Sequence, residues 1–275
     1  MDVPMKNDKI LAAYETWLLA SSRSDGTIKL RMRHVRALAR RLPLALARER
    51  QLQEVLGDCR HLSTETRHSM LASWRLFYGW AVTKRFILAD PTAELESIPV
   101  PVRMPRVARD RDILMALQGS TPRDRGLVML GRYACLRLTE ISTLHMRDRD
   151  GDLLRVLGKG NKERIVYVND DLAHALTRIE LEQPRGFYFP GGTDGHMHPQ
   201  SVHKIIKRLT GWNPHALRHA GATAAYRATG DLRAVQDMLG HASLLTTQRY
   251  LHLDDAARRA AAAGTIIRPP SSLAA

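Results

Sequence analysis

The sequence predicts a mainly α-helical protein with one small antiparallel β-sheet, organised as two domains. Apolar residues recur at helical spacing through most of the chain, with turn residues between the segments. Residues 153–157 and 164–168 are β-prone runs on either side of the sequence GKGNK, which is typical of a hairpin turn. Residues 98–105, with the sequence IPVPVRMP, cannot continue a helix, because proline removes a backbone donor and restricts the residue before it. They predict a linker between the domains.

The linker separates two regions with different patterns. We expect a helical first domain over residues 1–97, the linker over residues 98–106 and a second domain over residues 107–264. Helical segments near residues 110–118 and 124–134 precede the hairpin, and helical patterns return after it. The alanine-rich residues 256–263 predict a final helix that ends at Gly264. A flexible tail is expected over residues 265–275.

One helix of the first domain is predicted to have an apolar and a basic face. It begins after Ser24, in a sequence that favours helix starts. The residues that helical spacing turns toward the core are Ile28, Met32, Val35 and Leu42. The residues that form the basic stripe on the other face are Lys29, Arg33, Arg36 and Arg40. The basic stripe suits a DNA backbone, although the spacing fits a merely solvated face equally well.

A second helix of this domain is predicted over residues 64–86. Its apolar face consists of Met70, Trp74, Phe77 and Ala81. We expect the aromatic side chains in the core rather than stacked on bases. The charged residues of this helix are Arg67, His68, Arg75, Lys84 and Arg85. Among them, Arg67 and Arg75 are expected to contact DNA.

The composition indicates a polyanionic partner. The 275-residue chain has a formal net charge of +14 and a pI near 10.3. Lysine and arginine gain affinity for nucleic acids by displacing counterions from the phosphates, so nucleic acid is the first candidate. A charge that serves only solubility, and an anionic membrane surface, are the alternatives.

Other classes of protein are not favoured. No apolar run approaches the roughly 20 residues that span a bilayer, and the polar start of the chain lacks the apolar core of a signal peptide. We therefore expect a cytoplasmic protein without a membrane partner. The two cysteines, Cys59 and Cys135, lie far apart and show no metal-type spacing, which favours incidental thiols over a disulfide or zinc site.

Six residues of the second domain lie where function is usually housed, at turns and element ends. They are Arg137, Lys159, His215, Arg218, His241 and Tyr250. Each alone is weak support for a site, because isolated residues of these types are commonly structural. The sequences around them are YACLRLTEISTL, LGKGNKERIVYV, NPHALRHAGAT and MLGHASLLTTQRYLH. Together and in this order they resemble the tyrosine recombinase or phage integrase family, and the first domain more loosely resembles its core-type DNA-binding domain.

The chemistry of phosphodiester cleavage accounts for several of these residue types. Negative charge on the phosphate must be stabilised in fixed positions. Arg137 and Arg218 have planar forks that can clamp the two nonbridging oxygens. His215 lies one helical turn before Arg218, hence on the same face, and His241 can add a further hydrogen bond.

The resemblance implies the roles of the remaining two residues. Lys159 is the general acid that protonates the departing 5′ oxygen, for which nearby cations should depress its pKa. Tyr250 is the nucleophile and forms a 3′-phosphotyrosine, which conserves the energy of the broken bond. Neither a metal nor another cofactor is expected. Glu140 should brace Arg137 or its helix, and Lys162 and Arg164 should contact phosphates, with simple solvent exposure as an equal alternative.

The same part of the chain has four alternative interpretations. His215 and His219 stand four residues apart, as in a metal-binding helix that His241 or His252 could complete, but Ala216 replaces the glutamate of the metalloprotease motif. The GKGNK turn lacks the spacing of a phosphate-binding loop and lies between strands. A catalytically idle DNA-binding protein of this fold and a relaxing topoisomerase are the rival functions.

The resemblance also implies an assembly and a biological role. The family works as four protomers on two duplexes, through a Holliday junction. The chain resembles compact members without an arm-binding domain, which implies double-stranded DNA with a simple core-type site. Integration or excision of a phage or mobile element is the expected role, with chromosome-dimer or plasmid resolution as the alternative. The alanine-rich helix should dock on a neighbouring protomer or pack within its own chain.

Two features depart from this outline. Cys135 stands where the family usually has glycine before Leu-Arg, which leaves open whether the turn needs a positive φ angle. The final Leu273-Ala274-Ala275 resembles the end of a bacterial tag that directs proteins to the ClpXP protease. We hypothesise that the protein is deliberately unstable.

Overall fold

The computed structural model describes residues 7–101, 106–158, 162–183 and 185–240. The chain divides into two compact units, Met1–Arg103 and Met104–Ala275. The described residues are mostly helical and include one small antiparallel sheet. The predicted fold class is therefore confirmed. Within the described part of the chain, no helix is both long and apolar enough to cross a membrane.

The described residues of the first unit form a bundle of four α-helices. They are α1 (Asn7–Leu19), α2 (Asp25–Ala39), α3 (Glu49–Asp58) and α4 (Thr64–Thr83), with short 3₁₀ turns at Leu44–Leu46 and Cys59–His61. Tyr14 of α1 packs edge-on against Phe77 of α4, with ring centroids 5.0 Å apart. All four residues predicted for the apolar face of α4 are buried, so their assignment to the core is confirmed. The helix ends three residues earlier than predicted, and Arg85 follows with a φ of 59°.

Helix α2 packs on α4 through an apolar face and one buried polar contact. Ile28, Met32 and Val35 are buried as predicted, whereas Leu42 follows the end of the helix and is half-buried. His34 is also buried, and its Nδ1 lies 2.8 Å from the hydroxyl of Ser73 on α4. Burial and the charges of the adjacent arginines lower the pKa of His34. A neutral histidine therefore belongs to the core of this unit.

In the second unit, α6 (Pro122–Arg132) is the helix on which several others pack. The others are α5 (Asp110–Leu117), α7 (Leu138–Thr143), α8 (Asp170–Glu182), α9 (Pro199–Thr210), α10 (Pro214–Thr229) and α11 (Leu232–Leu239), with a 3₁₀ turn at Met146–Asp148. Helix α6 packs on α8, α9 and α10. Its start is fixed by Thr121, whose hydroxyl accepts a hydrogen bond from the amide of Asp124.

The sheet of the second unit packs beside α11 through its third strand. Its strands are β1 (Arg149–Asp150), β2 (Leu153–Leu157) and β3 (Glu163–Tyr167), and a further short strand, β4 (Pro190–Thr193), stands apart from it. Strands β2 and β3 are antiparallel, with Leu157 opposite Glu163 beside the turn. The hairpin is therefore confirmed, with β3 displaced by one residue from the prediction. Strand β1 was not predicted, because two residues are too few to show a period.

Candidate active site

A cavity of about 410 Å³ in the second unit is lined by residues from the starts of α7 and α10 and by one residue of α9. Arg137 and Thr139 line it from the start of α7, His203 lines it from α9, and His215 and Arg218 line it from α10. Three of the six predicted catalytic residues thus meet at one cavity. The other three, Lys159, His241 and Tyr250, lie outside the described residues, as do His252, the alanine-rich residues 256–263 and the C-terminal Leu-Ala-Ala.

Arg137 is held by Glu140 in two ways. Its Nη1 donates to Glu140 Oε1 over 2.8 Å, and its main-chain amide donates to Glu140 Oε2, also over 2.8 Å. About one third of the Arg137 side chain, 34%, remains exposed. The prediction that Glu140 braces Arg137 is confirmed. The brace fixes an arginine that still faces solvent at the cavity.

Glu140 is a buried carboxylate shared by two arginines. Its side chain is 2% exposed, and Arg164 Nη1 and Nη2 donate to its two oxygens over 2.9 and 2.7 Å. Burial alone would raise the pKa of Glu140, but the hydrogen bonds from Arg164 and from the main chain of Arg137 lower it to about 2. The carboxylate is thus ionised at neutral pH.

Arg218 lies deeper than Arg137. Its Nη1 donates to the carbonyl of Cys135 and its Nη2 to the carbonyl of Leu239, the latter over 2.6 Å. Its Nη1 also lies 3.9 Å from Glu140 Oε2. Burial and the charge of Arg137 lower the pKa of Arg218 to about 10, so it stays protonated at neutral pH. A fixed positive charge therefore stands at the wall of the cavity.

The turn before Arg137 has the positive φ angle that the sequence left open. Cys135 has a φ of 52°, in a region that residues with a side chain rarely adopt. Its side chain is fully buried, and burial raises the pKa of the thiol to about 11. The turn aims the Cys135 carbonyl at Arg218. The buried thiol is thus structural, and the main-chain carbonyl of Cys135 helps to place Arg218.

Arginine side chains also bind three consecutive carbonyls where α11 ends. Arg164 Nε donates to Met238, Arg218 Nη2 to Leu239 and Arg137 Nη2 to Gly240, over 3.1, 2.6 and 3.1 Å. Carbonyls at the end of a helix have no partner within the helix, so these donors satisfy them. We call Arg137, Arg164 and Arg218 the arginine clasp. It fixes the chain up to Gly240, which has a φ of 61°.

The structure corrects the prediction for Arg164. Its side chain is 11% exposed, and each of its three guanidinium nitrogens donates to Glu140 or Met238. The alternative of a solvent-exposed side chain was wrong, because the guanidinium packs inside the protein, and a phosphate contact of Arg164 stays a prediction. Lys162 is exposed, so its contact with phosphate stays a prediction.

His215 lies in the first turn of α10, which begins at a well-formed cap. The Asn213 side chain accepts a hydrogen bond from the amide of Ala216 over 2.9 Å. Partial desolvation, followed by the charges of Arg218 and Arg137, lowers the pKa of His215. Its ring contacts that of His219, with centroids 4.2 Å apart. Among the described residues, no three His, Cys, Asp or Glu side chains form a group that could hold a metal ion.

The cavity includes a histidine that the sequence did not indicate. His203 of α9 lines it together with Arg137 and His215. A single histidine in an amphipathic helix gives no functional signal, and only the packing of α9 beside α7 brings it to the site. By contrast, the burial of Arg164 had a signal, because period-two alternation places residue 164 on the same inward face as the apolar Val166.

The basic stripe of the first unit is one exposed surface, as its spacing predicted. All four of its residues are exposed, and they line a groove of about 290 Å³ together with Glu15 of α1. Arg36 pairs with Glu15 over 2.7 Å. Arg67 is half-buried, and Arg75 donates to the Ser97 hydroxyl over 3.0 Å and to the Leu95 carbonyl over 2.5 Å. DNA contacts of all six residues stay predictions.

Comparison with known sequences gives the family. The model of the phage integrase family matches residues 110–257. Tyrosine recombinase XerC of Xanthomonas axonopodis pv. citri (strain 306) is 34% identical over 212 residues, which cover 71% of this chain and 70% of the relative. Tyrosine recombinase XerC of Chromobacterium violaceum is 31% identical over 275 residues, which cover 90% of this chain and 91% of the relative.

Solved structures show the same fold. A lambda integrase tetramer bound to a Holliday junction matches with a TM-score of 0.76 at 15% identity, covering 90% of this chain and 78% of that one. The XerH site-specific recombinase, bound to its palindromic difH substrate in a post-cleavage complex, matches with a TM-score of 0.70 at 19% identity, covering 86% of this chain and 78% of that one. The chain therefore belongs to the phage integrase family and is a tyrosine-type site-specific recombinase.

Proposed function

We propose that this recombinase cuts DNA by attack of the Tyr250 hydroxyl on a phosphodiester. The Tyr250 oxygen forms a bond to phosphorus, the bond to the 5′ oxygen breaks, and a 3′-phosphotyrosine results. The observation that carries the proposal is the meeting of Arg137, His215 and Arg218 at one cavity. Two guanidinium groups and an imidazole can stabilise the negative charge on the nonbridging oxygens of the phosphate in the transition state.

The reaction needs one group that accepts a proton and another that donates one. The phenol of Tyr250 must lose its proton on attack, and His215 is suited to accept it, because its lowered pKa keeps the ring neutral at neutral pH. Lys159 supplies a proton to the departing 5′ oxygen, as the family resemblance implies. Rejoining reverses these steps with a 5′ hydroxyl from another strand, and the phosphotyrosine conserves the bond energy for it. Neither metal nor nucleotide is needed for this balance.

The proposal extends to the DNA and the assembly. The basic stripe, Arg67 and Arg75 in the first unit, and Lys162 in the second, would bind the phosphates of a simple core-type site. We propose four protomers on two duplexes and a Holliday-junction intermediate. The similarity in fold to the lambda integrase tetramer on a Holliday junction supports this assembly.

We propose resolution of DNA multimers as the biological role, in place of the integration that the sequence favoured. The relatives named XerC support the resolvase alternative. The match to the Chromobacterium protein extends over both units of this chain. The two roles can be distinguished by binding fragments of the host chromosome to the protein. The fragments that remain bound contain its recombination site. A single chromosomal site indicates resolution, whereas a site at the end of a mobile element indicates integration.

A trapping experiment tests the chemistry. The site found in the bound fragments is synthesised as a duplex with a nick close to the scissile phosphate. After cleavage a short fragment diffuses away, so the covalent adduct accumulates. We expect wild type and Tyr167→Phe, which alters an exposed phenol on β3, to form an adduct that survives denaturation. Tyr250→Phe should bind the duplex without forming it. Tight binding with no wild-type adduct would favour a catalytically idle DNA-binding protein.

A further inference from the structure

Within the arginine clasp, Arg164 differs from its two neighbours. Arg137 and Arg218 line the cavity, whereas Arg164 does not. Arg164 comes from strand β3, and both of its Nη atoms bind the carboxylate of Glu140. The same carboxylate holds Arg137 over 2.8 Å. Arg164 is thus one step removed from the place where a phosphate would bind.

The guanidinium of Arg164 fixes both oxygens of Glu140 at once. A planar fork that donates to two carboxylate oxygens defines the plane of the carboxylate, which a lysine ammonium cannot do. With Glu140 fixed, its Oε1 and Oε2 accept from the side chain and the main chain of Arg137 in defined directions. Without Arg164, the carboxylate could rotate, and Arg137 would lose its fixed orientation.

Arg164 also holds the end of α11 closely. Its Nε donates to the carbonyl of Met238, and a β-carbon added to Gly240 would lie 2.8 Å from Arg164 Cδ. Glycine at residue 240 therefore allows the arginine stem to pack directly on the backbone. One side chain thus links the hairpin strand, the brace of Arg137 and the end of α11, where Arg137 and Arg218 bind the next two carbonyls.

We propose that Arg164 is a positioning residue for DNA cleavage, which acts on Arg137 through Glu140 and on Arg137 and Arg218 through the end of α11. This inference rests on the proposed function, because it concerns how the phosphate-binding arginines are oriented. It assigns Arg164 no contact with DNA. Its effect on cleavage therefore depends on the charge that Arg137 stabilises.

A substrate without that charge tests the inference. The nicked duplex is prepared with an ordinary scissile phosphate and, in parallel, with a methylphosphonate, in which a methyl group replaces one charged nonbridging oxygen. Arg164→Lys keeps the positive charge but loses the fork. The matched control is Arg149→Lys. Arg149, on β1 of the same sheet, is equally buried, at 12% exposure, and pairs with Glu180 of α8 away from the cavity.

We expect Arg164→Lys to cleave the phosphate duplex about 10- to 100-fold more slowly than wild type, since small misplacements of a catalytic group have effects of this size. On the methylphosphonate its rate should lie within about threefold of wild type. Arg149→Lys should match wild type on both duplexes. The ratio of the two rates is taken within each preparation, so partial unfolding cancels, and Arg164→Gln provides a second variant if the lysine variant does not fold.

Each other outcome contradicts the inference. If Arg164→Lys cleaves the phosphate duplex as fast as Arg149→Lys does, Arg164 does not position a catalytic group. An equal loss on both duplexes shows a general structural role that is independent of phosphate charge. Failure of wild type to form an adduct on either duplex overturns the proposed function itself, and this inference falls with it.

Discussion

Gly221 of α10 packs directly on Cys135, in the turn that precedes Arg137. A β-carbon at residue 221 would overlap the Cys135 thiol and the carbonyl of Arg132. Because Cys135 is fully buried and has a φ of 52°, neither the thiol nor the turn has room to move. The contact joins α10, which carries His215 and Arg218, to the turn that leads into Arg137.

We predict that Gly221→Ala destabilises the protein by about 1–3 kcal/mol, the usual cost of adding a methyl group to a packed interior. Gly79→Ala is the matched control, because Gly79 also lies within a helix but has open space where a β-carbon would stand. It should stabilise the protein by up to about 1 kcal/mol through its higher helix propensity. Thermal unfolding measures both changes. Equal shifts in Tm for the two variants would contradict the close packing.

The buried carboxylate of Glu140 should make stability depend on pH in acid. Its pKa of about 2 in the folded protein lies below the ordinary value of 4.5. The stabilisation is therefore complete above pH 4.5 and is lost as the pH falls toward 2. Glu140→Gln should lower the free energy of unfolding at pH 7 by about 3 kcal/mol. In urea unfolding, the difference between the two proteins should shrink below pH 4.5, and a difference that does not vary with pH would argue against an ionised Glu140.

His34 should make the first unit sensitive to milder acid. Burial lowers its pKa from 6.5, so the unfolded chain binds the proton more readily than the folded one. Stability is then complete above pH 6.5 and falls as the pH decreases through the lowered pKa. His34→Asn, which keeps a hydrogen-bonding group beside Ser73, should remove this dependence. Unfolding curves between pH 7.5 and 5 for the two proteins provide the comparison; parallel pH profiles would show that His34 does not titrate as described.

The basic stripe should contribute to DNA binding through phosphates. Each phosphate contact contributes about 0.9 to the slope of log affinity against log salt. The double variant Arg33→Gln/Arg40→Gln should therefore reduce this slope by about 2, with weaker binding to every sequence tested. Arg50→Gln is the control, because Arg50 is an exposed arginine of α3 outside the groove. Salt titrations by fluorescence anisotropy measure the slopes, and an unchanged slope in the double variant would remove the stripe from the DNA interface.

Local patterns predicted the elements of this fold better than the contacts of its site. Strands β2 and β3 follow from two β-prone runs around a glycine-rich turn, and α2 follows from the favourable start at Ser24. Both signals lie within about 15 residues of sequence, where propensity and periodicity act. The pairing of Arg164 with Glu140 spans 24 positions and depends on how the sheet packs beside α7. Spacing alone therefore could not identify Glu140 as its partner.

The residues of the cavity illustrate the same division. Arg137, His215 and Arg218 were predicted because their motifs resemble those of a known family. His203 belongs to no such motif, and it reaches the cavity only through the tertiary packing of α9. The binding of three consecutive carbonyls at the end of α11 by three arginines is likewise a property of the packed unit. These arginines come from α10, from β3 and from the residue preceding α7.

The most direct test of the account is to identify the amino acid that is joined to DNA. The adduct trapped on the nicked duplex is digested with a protease and a nuclease, and the modified peptide is sequenced by mass spectrometry. The account predicts a single nucleotide linked through its 3′ phosphate to Tyr250. A nucleotide on any other residue, or one linked through a 5′ phosphate, would contradict it.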